Sequence, residues 1–81
     1  MMIKAIFQLD SNSFTSKEII LPAVPSVGNQ IFLGDFIDEG EERKIFEKGF
    51  SQNLDSLIVK HVTWLKSPKD KQVYILITLE V

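Results

Sequence analysis

Apolar and polar positions alternate most regularly at the C-terminal end of the chain. There Val73, Ile75, Ile77, Leu79 and Val81 interleave with Tyr74, Leu76, Thr78 and Glu80. A period of two places five aliphatic side chains on one side of a strand half buried against a core, and predicts a strand over residues 72–81. Upstream, Ile58, Val59, Val62, Thr63, Trp64 and Leu65 crowd β-forming residues together and predict a strand over residues 57–65. The polar run Lys66-Ser67-Pro68-Lys69-Asp70-Lys71 joins the two. If Val62 faces inward, Trp64 shares its face. Tyr74 falls on the opposite face from Val73 and Ile75, so it is the aromatic expected to be exposed.

The N-terminal part shows the same alternation. Ile3, Ala5, Phe7 and Leu9 interleave with Lys4, Ile6 and Gln8, which predicts a strand over residues 2–9. Asp10-Ser11-Asn12-Ser13 is turn chemistry, short polar side chains that bond their own backbone. A second strand over residues 15–21 follows, with Lys17, Ile19 and Leu21 on one face, and a hairpin is its economical pairing. Pro22 and Pro25 lack the amide hydrogens a ladder needs, so the chain should cross the domain extended. Gly28-Asn29 is a turn signal opening a third strand over residues 30–33.

Residues 34–53 carry a different pattern. Asp38 can cap a helix, and Glu39, Glu41 and Glu42 would occupy its first turn, where the helix dipole favours acids. Ile45 and Phe46 would face inward, with Lys44 and Lys48 near the C-terminal end and Gly49 at the stop. This predicts a helix over residues 39–48, against the competing reading of a short strand over 44–46. Phe36 and Phe50 flank the element and are expected to pin it to the core. Residues 51–56 read as a polar loop.

With 81 residues there is room for one small β-rich domain, residues 1–81. Hydrophobic residues make up 44% of the chain, enough for a globular core. The absence of cysteine excludes disulfides, thiolate catalysis and cysteine-ligated zinc. A net charge of −2 argues against a general nucleic-acid binder, which needs a basic face. The charge is unevenly spread: six acids fall within residues 35–47, while Lys60, Lys66, Lys69 and Lys71 make the C-terminal hairpin locally basic. No apolar run approaches the ~20 residues that span a bilayer, and the N-terminus lacks the pattern of a signal peptide. A cytoplasmic protein with no membrane partner is expected.

No residue set declares a catalytic centre. His61 is the only histidine, and a surface position in a strand accounts for it; no second imidazole or thiol completes a metal site. The serines lie mostly in turns and loops, none in a nucleophile elbow. The acids around residue 38 miss the register of a calcium loop, and the glycines form no phosphate-cradling loop. No cofactor is expected. The aromatics are mostly core. The one surface that could hold an anionic ligand, a single strand or a partner combines Tyr74 with Lys60, Lys66, Lys69 and Lys71.

The run Val24-Pro25-Ser26-Val27-Gly28-Asn29-Gln30-Ile31, then Val59, Val62-Thr63-Trp64, then Val73-Tyr74-Ile75, resembles small bacterial SH3-like barrels. In those, a Pro-x-x-Gly turn opens a strand, a Val-x-x-Val-x-Trp strand follows and an alternating aliphatic strand closes the sheet. The resemblance covers about half the chain, brings no functional residues with it, and is interrupted by residues 35–53, which a minimal barrel lacks. The fold expected is mainly β (α+β): a small SH3-like barrel or curved antiparallel sheet of five strands, with one short helix between strands 3 and 4. The function expected is non-catalytic: an interaction or structural adaptor module binding another protein or its own copy. An unpaired sheet edge on the short second or third strand would accept an added strand. The alternative is nucleic-acid binding through the basic hairpin.

Overall fold

The computed structural model describes residues 2–10, 14–49 and 54–80. The expected turn at 11–13, Phe50, the loop at 51–53 and the inward placement of Val81 lie outside them. Five strands, β1 (Ile3–Leu9), β2 (Ile19–Leu21), β3 (Gln30–Ile31), β4 (Leu57–Lys66) and β5 (Val73–Glu80), form one sheet in the order β2-β1-β5-β4-β3. A helix, α1 (Glu39–Glu47), lies between β3 and β4 in sequence. The protein is mainly β, a five-stranded sheet curled into a half-barrel.

The sheet is mixed. Three pairings are antiparallel, but β1 and β5 run parallel, with Ala5 opposite Ile75 and Leu9 opposite Leu79. The strands nearest the two chain ends thus lie side by side in the middle. β5 (VYILITLE) is nearly continuous in apolar residues, and its outer face is partly covered too, Tyr74 and Leu76 being half-buried and Thr78 buried. Its Ile75, Ile77 and Leu79 are fully buried, as the alternation predicts; Val73, on the same face, is 53% exposed.

β4 is bent by a bulge. Val59 pairs with Leu79 and His61 with Thr78, so Lys60 is an extra residue. The insertion shifts the inward parity. Leu57 and Val59 face the core before it, and Val62 and Trp64 stand opposite Ile77 and Ile75 after it. Both runs are therefore inward, which no single period of two could show.

β2 is shorter than expected because side chains replace its ladder. The Phe7 amide donates to Ser16 Oγ at 2.9 Å while the Ser16 amide donates to the Phe7 carbonyl at 2.8 Å. The Lys17 amide leaves the sheet to donate to Glu41 Oε2 at 2.9 Å. Lys17, expected on one face with Ile19 and Leu21, is exposed whereas Leu21 is buried, and Ser16, expected on the other face, is buried as well. Thr15 keeps only an isolated bridge to Gln8.

The turn at Gly28 forms as expected: Gly28 has φ +95°, its amide donates to the Val59 carbonyl, and Asn29 Oδ1 accepts from the Ser26 amide. β3 then stops after two residues, because Leu33–Asp35 tighten into a 3-10 turn. Helix α1 begins at Asp38, whose carboxylate accepts from the Glu41 amide at 2.8 Å, and ends before Gly49 at φ +91°. The competing strand over 44–46 does not form. Ile45 is fully buried in the core cluster, which also holds Leu33, Leu54 and the inward residues of the sheet. Phe46, expected inward, is 46% exposed. Glu41 and Ile45, four apart, share the covered stripe, whereas Phe46 lies on the open side with Glu42, Arg43 and Glu47. Phe36 pins the segment, its ring 5.5 Å from that of Phe7.

Candidate functional site

The half-barrel leaves its inner face covered at one end only. Ile45 of α1, with Val24, Ile31, Leu33 and Ile37, joins the cluster built on Phe7, Ile75, Ile77 and Leu79. The other end, toward the start of β1 and β5, carries Met2, Ile3, Trp64 and Val73 around a shallow recess of about 360 Å³ that Lys4 and Gln72 border. Met2 is 67% and Trp64 60% exposed. A cluster of large apolar side chains held open on a sheet marks a contact surface more often than a packing defect.

Beside that recess the sheet has an open edge. β3 pairs with β4 only at Gln30–Ile58 and Ile31–Leu57, and two further bonds, Val59 N–H to the Asn29 carbonyl and Gly28 N–H to the Val59 carbonyl, end the contact. The Gly28 turn then carries the chain away. Residues 60–66 of β4 therefore have β5 on one side and no strand on the other among the described residues. The outer strands are β2 and β3, the two expected to be edges. Among the described residues the longest open edge belongs to their neighbour β4, because β3 is too short to cover it. Unpaired backbone donors and acceptors on such an edge can receive another strand.

The residues singled out from sequence do not form one surface. Lys60 stands at the bulge, where its ammonium is 2.9 Å from Asp10 Oδ2 and 3.9 Å from Glu80 Oε2. The hydrogen bond and charge of Lys60 hold the Asp10 carboxyl below its ordinary value, and Asp10 in turn raises Lys60. Lys66 is six residues away, roughly 20 Å along an extended strand. Lys66, Lys69 and Lys71 are exposed at the hairpin, where Lys71 adopts φ +61° and Asp70 Oδ1 accepts from the Gln72 amide. That bond, with one from Ser67, lowers the Asp70 pKa. Tyr74 is half-buried on the outer face, whereas Trp64, on the inner face opposite Ile75, is 60% exposed. Tyr74 lines an open groove of about 240 Å³ with Ile6, Lys4, Glu18, Ser67, Asp70 and Gln72. Lys4 is already committed there, to Gln72 and, at 3.6 Å, to Glu18.

His61 is exposed in mid-strand. Among the described residues, no three His, Asp or Glu side chains come together as a metal site, and no helix is long and apolar enough to cross a membrane. Compared with protein-family models, curated proteins and solved structures, the chain matches none.

Trp64 is the functional candidate that the sequence reading assigned to the core. Its inward direction is right, but the cover does not extend over it. The available signal was a mismatch of lengths: a third strand of four residues could not flank a fourth of nine.

Proposed function

We propose that the protein is a non-catalytic interaction module that receives an extended segment of another protein chain along residues 60–66 of β4. One observation carries this reading: seven consecutive residues of open edge lie beside the exposed Trp64. Backbone pairing along the edge supplies binding without sequence demands, and the Met2, Trp64 and Val73 recess supplies a pocket for one apolar side chain of the added strand. In this reading the chain is a cytoplasmic adaptor built on the small SH3-like theme of bacterial proteins, its support being the Pro25 to Gly28 turn and the curled sheet.

The basic hairpin is a poorer basis for function. Lys60 is occupied by two carboxylates, and Lys66 stands on the Val73 side of the sheet, opposite to Tyr74. Nucleic-acid binding there would fall steeply with salt and vanish on joint substitution of Lys66, Lys69 and Lys71 by glutamine.

The test is selection of a random extended-peptide library on the purified protein. The expected peptides carry one large apolar residue and bind Trp64→Lys at least about tenfold more weakly. Peptides that bind both proteins equally, or a selection on protein shown to be monomeric that yields none, overturn the reading.

A further inference from the structure

We infer that the segment this edge receives is β4 of a second copy of the same chain, paired antiparallel about a two-fold axis through Thr63. The inference rests on the proposed strand-accepting role of β4 and names its occupant.

The open edge reads Lys60-His61-Val62-Thr63-Trp64-Leu65-Lys66. Two identical antiparallel strands related by a two-fold axis keep their hydrogen-bonding residues in step only when the axis passes through a residue. An axis at Val62 sets Lys66 against Ile58, which β3 already occupies. An axis at Trp64 sets the two indoles against each other and Val62 against Lys66, and uses only five residues of the edge. An axis at Thr63 uses all seven. It sets Val62 against Trp64 of the second copy, twice, on the inner face, and His61 against Leu65 on the outer face. Aromatic with β-branched is among the favourable cross-strand pairs. A perpendicular two-fold keeps the inner faces of both copies on one side, so each Trp64 is covered where its own chain leaves it 60% exposed.

The ends of the pairing are balanced in charge. Lys60 meets Lys66 of the second copy, but Lys60 brings Asp10 at 2.9 Å and Glu80 at 3.9 Å. The Lys60 charge is thus already offset within its own chain, on the β5 side of the strand, when Lys66 of the second copy approaches. A foreign strand has no reason to match this edge in length, pair pattern and end charge together; the edge matches itself in all three.

The full chain is measured by sedimentation equilibrium over a concentration series, with Trp64 fluorescence read in parallel. Trp64 is the only tryptophan, so its emission reports on this contact alone. A dimer whose formation coincides with a blue shift is expected, and Trp64→Lys weakens it at least about tenfold while keeping the far-UV spectrum. The chain has no cysteine, so Thr63→Cys offers an independent measurement that leaves Trp64 intact. Residues facing each other on the axis lie about 4.5–5.5 Å apart at Cα, within disulfide reach. Oxidation should therefore link Thr63→Cys copies in high yield and Ile20→Cys copies, on the β2 edge, poorly. A dimer that links through Ile20→Cys and not Thr63→Cys overturns the inference, as does a monomer at every concentration. A monomer that still selects Trp64-dependent peptides removes the second copy and leaves the interaction role standing; loss of both removes both.

Discussion

The Glu41 carboxylate, buried on helix α1, accepts a hydrogen bond at 2.9 Å from the backbone amide of Lys17, 24 residues earlier in the chain. Lys17 Nζ adds a second tie to Asp38 at 3.5 Å. Replacing Glu41 by alanine leaves a partly buried amide without its acceptor. The expected cost is about 1–3 kcal/mol, measured by urea unfolding, with Lys17→Ala costing far less because its amide remains.

Ile75 and Val73 share a face of β5 but not a fate. Ile75 is fully buried, so Ile75→Ala opens a cavity in the core and should cost about 2–5 kcal/mol, a large part of the stability of so small a domain. Val73→Ala, at 53% exposure, should change stability by less than about 0.5 kcal/mol. Equal effects would mean that the recess around Trp64 is filled in the free protein.

Gly28 has φ +95° and no atom within 4 Å of where a Cβ would sit. Gly28→Ala therefore carries only backbone strain, about 1–2 kcal/mol, read as a lowered urea midpoint at unchanged slope. A stabilised variant would show that the turn is not held in this conformation.

Asp10, Asp38 and Asp70 all have pKa values below the ordinary 3.8, held there chiefly by Lys60, by the Glu41 amide and by the Gln72 amide respectively. A depressed carboxyl contributes stability that is present above the unfolded value and lost as pH falls through the folded one. Stability should therefore decline as pH drops below about 4. Lys60 is raised above 10.5 by Asp10, so its contribution is present below that value and lost as pH rises beyond it. In Asp10→Asn both the acid-side and the alkaline-side losses should shrink; thermal melts across pH 2–12 would show either.

Much of the fold was legible in the order of residues. Alternation marks β1 and β5, because a strand with one buried face must repeat every two residues. Asp38 and Gly49 mark the ends of α1, because cap chemistry is local. Gly28 marks its turn, because only glycine enters positive φ without cost. What local pattern could not carry was set by contacts between distant segments. The parallel pairing of β1 with β5 brings together residues some 70 apart. The bulge at Lys60 has no local signature and shifts the inward parity of β4. Ser16 and Glu41 take backbone amides away from the β2 ladder, and Phe46 loses the inward place that Ile45 and Glu41 occupy. The candidate site belongs to the same class. A side chain's direction follows from its place in a strand, but whether anything lies over it depends on how far the rest of the chain reaches. Trp64 points to the core side, and β3 and α1 stop short of it.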